Sequence, residues 1–565
     1  MKTMDTQVVV VGGGATGVAV LRDLARRGIR AILVERSDLG TGTSGRWHGL
    51  LHSGGRYAVN DQVSARECIE ENQILRRIAP QTVEDMGGMF VQLPSDDPAY
   101  EQRFVEGCAQ SGIPVERISG EEARRREPAL SKDVRVAYVV PDAGIDSWAM
   151  LRAMSEDAGD HGARVLMRHP LIGVERRDGH INAVRVRDRV HDEDVLIGCE
   201  WVVNAAGAWA GEVGKLAGVR IHMIPGKGVM VVMALRYTHG VVNALRKPAD
   251  GDIIVPQHEV AILGTTSVEV ASADDIQVDI RDVDRMIDMT SQMVPSIANG
   301  RALRAFAGSR PLYKAEPEAA DPSSGPGPAG DDGDETREVS RTFTVLDHAS
   351  RDGLDNMFSI LGGKLTTCRQ MAEALVDRLA DRMGVTTPCT TATALLPGAE
   401  HGTHDLAAPL RGIEEDHAYG ELLCECELVT RKRVMEAVDA GVDELEDLRR
   451  KMRIGYGPCQ GGFCVWRTGA MIVERGRGNQ DDQLEGLERF LEERWRGQHT
   501  TIWGDQARQL LLNQAIYRGI FDLGVDGRTD EAGQYELDAG VAVPAAATAA
   551  GAGSSAGSAP SAGRS

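Results

Sequence analysis

A chain of 565 residues exceeds one ordinary core, so two or three domains with room to bury a dinucleotide are expected. A formal charge of -21 and an isoelectric point near 5.2 argue against nucleic acid or anionic lipid as direct partners. Only nine of the 63 basic residues are lysine, and that bias beside the Asp and Glu excess fits either a GC-rich genome or a salt-adapted, acidic proteome.

The N-terminus runs straight into the β-branched stretch Val8 to Val11 with no charged region and long apolar core ahead of it, so no secretory leader is expected and a cytoplasmic chain is. No stretch reaches the roughly 18 strongly apolar residues that a membrane span needs. Nine thinly spread cysteines disfavour a disulfide framework and leave metal binding or burial.

Val8 to Val11 predicts a strand, Gly12 to Gly17 a turn, Val18 to Arg27 an amphipathic helix and Ala31 to Val34 a second strand ending at Glu35. This βαβ unit opens a doubly wound sheet. Gly12, Gly14 and Gly17 form G-x-G-x-x-G between strand and helix: Gly12 makes the tight turn, Gly14 lets backbone approach a pyrophosphate, and Gly17 lets helix meet strand. Glu35 is placed for a ribose hydroxyl pair. NAD and FAD share this fingerprint. The glycine-, serine- and threonine-rich stretch Gly40 to Tyr57, the turn Asn204 to Trp209 after a strand at Trp201 to Val203, and Leu361 to Arg369 between strand and helix favour a flavin. A helix N-terminus at the last of these would stabilise negative charge on a reduced ring.

Alternation of strands and helices, including a helix at Ser64 to Ile78, continues to about Ala315 and implies one large α/β body. Residues 315–340 are rich in Pro, Gly and acids and predict a disordered insertion. Pattern resumes at Thr342 to Leu346 and Phe358 to Leu361, then a helix at Arg369 to Met383. The body is therefore taken as 1–396, a cysteine-bearing segment as 417–478, further helices (Asp482 to Trp495, Asp505 to Ile520) as 479–537, and a disordered Ala/Gly/Ser tail as 538–565.

Cys424 and Cys426 give C-x-C, and Cys459 and Cys464 give C-x4-C. Between them Thr430 is expected to cap a helix over Arg431 to Asp439, and Asp443 one over Glu444 to Arg453 ahead of Gly455. A helix pair of that length brings the cysteine pairs together, and four thiolates bind a [2Fe-2S] cluster or zinc. Cys68, Cys108, Cys199, Cys368 and Cys389 lack such company and are expected to be inert.

The ordered set "VVVVGGGATGVAV", "LLHSGGRYA", "NAAGAWA", "GTTS", "AGSRPL" and "LGGKLTTCR" resembles FAD-dependent glycerol-3-phosphate dehydrogenases of the D-amino-acid oxidase superfamily, over roughly residues 5 to 475. The C-terminal cysteines narrow the resemblance to the flavin-bearing A subunits of the anaerobic, three-subunit enzymes, and their segment resembles bacterioferritin-associated-ferredoxin-like [2Fe-2S] domains. One departure is the C-x4-C pair, commonly C-x2-C in that domain.

The resemblance implies a Rossmann-like FAD-binding domain with an interleaved α+β substrate domain and a small helical iron-sulfur domain. It implies FAD on Gly12, Gly14, Gly17, Glu35, Arg36, Thr43, Ser44, His48, Ala206, Gly207, Gly362, Gly363, Lys364, Leu365 and Thr366. Glycerol 3-phosphate, a dianion suited to the guanidinium fork, would meet Arg56, Tyr57 and Arg310, with Lys364 assisting. His52 is a candidate general base for the C2 hydroxyl, or else a hydrogen-bond donor to the flavin; His48 and the pair Thr265 and Thr266 are secondary candidates. Cys424, Cys426, Cys459 and Cys464 would hold [2Fe-2S], with zinc the less expected occupant. Also implied are a quinone acceptor, a place on the cytoplasmic face of the membrane, a second, flavin-associated subunit, a membrane-anchoring iron-sulfur subunit, and FMN as a candidate cofactor somewhere in the complex. Two rival readings remain: an FAD enzyme of the same superfamily acting on a 2-hydroxy acid or amino acid, and a non-catalytic electron-relay subunit.

Overall fold

The computed structural model describes residues 2–313, 342–404, 408–416, 420–442, 444–476, 480–521, 535–536 and 542–543. The expected insertion at 315–340 and most of the expected tail lie outside the described residues. Residues 1–510 form one compact unit, and the chain from Leu511 onward is a second.

Strand Lys2–Val11, helix Ala15–Arg26 and strand Ala31–Val34 form the opening βαβ unit. The strand begins six residues earlier than its β-branched run because Lys2 to Thr6 pair in parallel with Val195 to Cys199. Among the described residues the first sheet has eight strands, in the order 171–177, 180–188, 193–204, 2–11, 31–34 and 164–166, with 357–362 beside the end of 193–204 and 343–347 beyond it. Its central strands are buried on both faces, so Val8, Val10 and Leu33 read as continuous apolar runs. Helix Ala15–Arg26 and helix Cys368–Met383 cover one face, with Leu21, Leu24, Leu375 and Leu379 fully buried there.

The second sheet carries the other wall of the site. Its long antiparallel pair, Met223–Met233 with Ala302–Tyr313, sets Gly226 opposite Arg310 and Gly228 opposite Gly308. A small sheet of Leu50–Leu51, Val83–Glu84 and Ala143–Ile145 ties the glycine-rich stretch between the two.

The cysteine segment holds strands Leu422–Cys424 and Val429–Thr430 and helices Arg431–Asp439, Leu445–Met452 and Cys464–Glu474. Thr430 caps the first helix as expected, its hydroxyl accepting from Arg433 N–H. The second helix corrects its expected ends. Asp443 lies outside the described residues, Glu444 takes the cap position without a side-chain bond, and the helix stops at Met452. Arg453 adopts the left-handed conformation at φ 63°, held by Nε on Glu427 Oε2 at 3.1 Å. Helices Gln480–Gln498 and Gly504–Phe521 match the further helices expected, and a strand pair Tyr535–Glu536 with Ala542–Val543 stands at the edge of the expected tail.

Candidate active site and cysteine centre

A cleft of about 1410 Å³ runs from the glycine turn to the second sheet, lined by Gly12, Gly14, Glu35, His52, Arg310 and Lys364 among others. Every residue expected at a flavin or substrate lines it except Gly17 and Thr266, the latter buried between Thr265 and Ser267 in the chain. Gly17 instead permits the turn: a Cβ there would meet Gly12 O at 1.9 Å, and one on Gly12 (φ 112°) would meet Ala205 O at 2.7 Å. A Cβ on Gly14 would touch only Ser44 Oγ at 3.2 Å, which leaves its backbone open to the cleft.

Glu35 sits at the end of its strand with both carboxylate oxygens in backbone bonds, Oε2 from Gly13 N–H at 2.6 Å and Oε1 from Ser37 N–H at 2.9 Å. It thereby fixes the turn as well as facing the cleft. Ser44 Oγ accepts from Ala15 N–H at 2.9 Å, satisfying the first turn of a helix whose cap, Gly14, has no side chain. Thr43 donates to Ser309 O at 2.5 Å, joining the two lobes. Arg36 stacks over Trp209 at 4.3 Å, and both reach Asp274.

At the other end Gly362 and Gly363 take φ 75° and 71°, turning the strand Met357–Gly362 into the loop before helix Cys368–Met383. Thr366 Oγ1 is buried there without a partner among the described residues. An orphaned hydroxyl, a side-chain-free helix cap and a long cleft form a receptor of the kind that FAD fits, with the pyrophosphate at the glycine turn.

Arg310 Nη2 donates to Thr265 Oγ1 at 2.5 Å and Thr266 O at 2.8 Å, and Nη1 to Ser267 Oγ at 3.1 Å. On the facing strand, two residues beyond the partner position, Gly228 leaves room for the guanidinium, which a Cβ there would meet at 2.7 Å. The Thr265 and Thr266 pair thus positions Arg310. Arg56 faces buried Asp252 at 3.9 Å, a carboxylate also held by Arg246 at 2.8 Å. Lys364 Nζ lies 5.0 Å over the Tyr57 ring, and His52 lies 5.7 Å from Tyr57 and 5.9 Å from His48, so these side chains form one continuous wall.

Burial, with Arg56 and Arg310 adding repulsion, pushes His48 down to about 3. Burial, then His48, Arg56 and Lys364, push His52 well below its ordinary value. Both rings are therefore neutral. His48 Nδ1 accepts from Leu50 N–H at 3.1 Å, which leaves the proton on Nε2.

Three positioning residues escaped the sequence reading. Asn72 donates to the carbonyls of Leu51 and His52 at 3.1 and 3.0 Å, and Asp142 accepts from Ser53 N–H at 2.7 Å, so the His52 loop is held from beneath. Asp252 partly neutralises Arg56. Only the "GTTS" motif signalled such a role, through Ser267.

The four segment thiols close a ring. Cys426 and Cys464 donate to Cys424 and Cys459, which hydrogen bonds hold down at about 4 and about 2, helped by backbone N–H groups of Glu427, Gly455, Gly461 and Gly462; the two donors are raised. Cys426 Sγ and Cys459 Sγ are 3.9 Å apart. Among the described residues no group of three or more His, Cys, Asp or Glu is placed to hold a metal ion. Four convergent thiols ringed by N–H donors suit a cluster that needs thiolates and hydrogen bonds to sulfur. The wide C-x4-C spacing has a local cause. Gln460 (φ 53°) and Gly461 (φ 91°) make a left-handed turn, Gln460 Nε2 staples it to Tyr456 O and Gly457 O, and the helix begins only at Cys464. Burial raises the other five thiols to about 11 or 12, as expected of inert cysteines.

A nucleotide-binding sheet, a substrate lobe facing it and a shared cleft define an FAD-dependent oxidoreductase. The family model "FAD dependent oxidoreductase" matches residues 7–369, and "BFD-like [2Fe-2S] binding domain" matches 422–474. The chain is 40% identical over 93% of its length to the A subunit of anaerobic glycerol-3-phosphate dehydrogenase from Escherichia coli K12, covering 98% of that protein. It is also 40% identical to the A1 subunit of the same enzyme from Haloferax volcanii, over 90% of this chain and 89% of that one. This chain belongs to the family of anaerobic glycerol-3-phosphate dehydrogenase A subunits, and it is an enzyme of the FAD-dependent class. The fold alone is shared with glycerol-3-phosphate dehydrogenase from Bacillus halodurans complexed with FAD, at 21% identity and TM-score 0.55 over 91% of this chain and 82% of that one.

Proposed function

We propose that this chain oxidises sn-glycerol 3-phosphate to dihydroxyacetone phosphate and passes the electrons through partner subunits to a quinone. The observation that carries the substrate is Arg310, whose guanidinium is held at the cleft by Thr265, Thr266 and Ser267. With Arg56 and Lys364 on the adjoining wall it supplies three cations for one phosphate dianion. The glycine turn and the Gly362 to Thr366 loop would hold FAD, which would supply a two-electron hydride acceptor for the substrate C2. His52, neutral in its buried loop, is free to take the C2 hydroxyl proton at a ring nitrogen as that hydride leaves, while Asn72 holds its backbone in place. His48 and Tyr57 adjoin His52 in the same wall of the cleft.

Cys424, Cys426, Cys459 and Cys464 would hold a [2Fe-2S] cluster, which supplies one-electron chemistry when bound. Among the described residues no helix is long and apolar enough to cross a membrane. In this reading an anchoring iron-sulfur subunit attaches the chain to the cytoplasmic face of the membrane, and the complex is a candidate to carry FMN.

Anaerobic titration of the purified, FAD-loaded chain tests the substrate: glycerol 3-phosphate bleaches the flavin, while 2-hydroxy acids and amino acids do not. Bleaching by one of those instead overturns the assignment, and no bleaching by any substrate favours the electron-relay reading. Iron and zinc analysis of the same sample decides the metal.

A further inference from the structure

A second cavity of about 1070 Å³ shares Gly40, Thr41, Arg46 and Trp47 with the flavin cleft as a common wall. Its other walls come from the second sheet, including Arg304 and Phe306, from Trp148, from the cysteine segment and from helix Gln480–Gln498. Most charges there are matched: Arg449 by Glu446, Arg450 by Asp38, Arg453 by Glu427, and Arg496 by Glu493. Among the described residues Arg304 and Arg494 have no carboxylate partner within ion-pair distance, and neither Arg304 Nε nor Arg494 Nη2 has a hydrogen-bond partner, although both atoms are buried.

Arg494 is 3% exposed; its one polar contact is Nη1 to Gln460 Oε1 at 3.4 Å, and it lies over the Tyr456 and Phe490 rings at 5.3 and 5.0 Å. Arg304 lies over Phe306 at 5.6 Å. Ring faces attract a cation without satisfying N–H donors in the plane of the guanidinium. Trp148, edge-on to Tyr456 at 5.5 Å, adds a third buried donor without a partner, Nε1. Burial drives Arg494 down to about 9, with Arg304 and Arg449 adding repulsion, and burial drives Arg304 down to about 10. A guanidinium keeps its proton, so what relieves this environment is an anion. Of the other carboxylates in the lining, Glu492 and Glu493 are exposed, and the half-buried Glu446 is held by Arg449 and Arg450.

We propose that this cavity is a second anion site, distinct from the substrate cleft, which takes a phosphate group on Arg304 and Arg494, either free or as an ester. The volume exceeds that of a bare ion, so the cavity has room for an ester as well as for free phosphate.

The test is calorimetric titration of the full, FAD-loaded chain with inorganic phosphate and, separately, with adenosine 5'-monophosphate. The Arg310→Gln variant serves as background, so that the substrate cleft contributes little. Binding is expected to persist in that background and to weaken at least tenfold when Arg494→Gln or Arg304→Gln is added; tighter binding of the nucleotide identifies an ester site, and tighter binding of phosphate a free-ion site. Flavin absorbance and the thermal midpoint report whether each variant is folded, and the half-buried Arg304 provides a test should Arg494→Gln fail to fold. No binding in the Arg310→Gln background, or binding that both further substitutions leave unchanged, overturns the proposal.

Discussion

Arg301 Nη2 donates to the carbonyl of Pro458 at 2.9 Å, tying the start of strand Ala302–Tyr313 to the turn that carries Cys459. The same strand delivers Arg310 to the cleft nine residues later, so one element spans from the proposed cluster to the substrate wall. Truncating Arg301 removes a charge-assisted bond worth about 1.5–3 kcal/mol, less where solvent reaches it. Arg301→Ala is therefore expected to speed amide exchange around Gly457 to Gly461 several-fold while flavin content stays unchanged. Exchange mass spectrometry reads this directly, and unaltered protection would mean that other contacts hold the turn.

Arg310 is preset by three acceptors, each matched to a nitrogen of its planar fork. A lysine ammonium cannot reproduce that arrangement. Both Arg310→Ala and Arg310→Lys are expected to lower kcat/KM for flavin reduction by glycerol 3-phosphate by about 10²-fold, in line with about 2–3 kcal/mol for a charged hydrogen-bonded contact. Full rescue by lysine would show that charge alone is needed. Ser267→Ala, which removes one of the three holds, should give a smaller loss, mainly in KM.

If His52 takes the hydroxyl proton, His52→Ala lowers the rate of flavin reduction by about 10²–10⁴-fold with little change in substrate affinity. Rapid-mixing measurements separate the two. His48→Asn should alter the rate far less, because His48 Nδ1 is already engaged, accepting from Leu50 N–H. A rate loss confined to His48→Asn would transfer the base role.

The same two histidines set a pH dependence of stability. In the unfolded chain each titrates near 6.5, whereas in the fold both lie far lower, His48 at about 3. Below 6.5 the unfolded state binds two protons that the folded state refuses, so stability rises with pH through this window and is lost as pH falls from 6.5. Each ring contributes up to about 1.4 kcal/mol per pH unit. Between pH 6.5 and 5.5 the urea midpoint should fall less steeply in His48→Asn than in the parent chain; equal slopes would show that His48 protonates inside the fold.

The fold and the outline of the site were legible because they rest on local chemistry. A glycine triplet between a β-branched run and an amphipathic helix has few physical solutions, and Gly12 and Gly17 turn out to be demanded by contacts of their backbones with each other and with Ala205. The supports of the site were not legible. Asn72 and Asp142 reach the His52 loop from 20 and 89 residues away, a distance at which no periodicity or spacing carries information. The helix end at Arg453 was misplaced for a similar reason: Arg453 takes a left-handed backbone while Glu427, 26 residues away, anchors its side chain.

Gly457 offers the sharpest test of the cysteine ring. A Cβ there would lie 2.2 Å from Cys426 Cβ and 2.9 Å from its Sγ, so the backbone passes against one thiol at a distance that only glycine permits. Relief would require moving Cys426, whose Sγ contacts Cys459 at 3.9 Å, or displacing the turn that Gln460 staples at Tyr456 and Gly457. Gly457→Ala is thus expected to lower iron content and the visible cluster signal by more than half, while leaving FAD occupancy and anaerobic bleaching by glycerol 3-phosphate intact, because the cleft is built from other elements. Cys459→Ser should do the same without steric change. Loss of iron in Cys459→Ser but not in Gly457→Ala would show that the ring has room to expand; retention of full iron in both would mean that these four thiols are not its ligands.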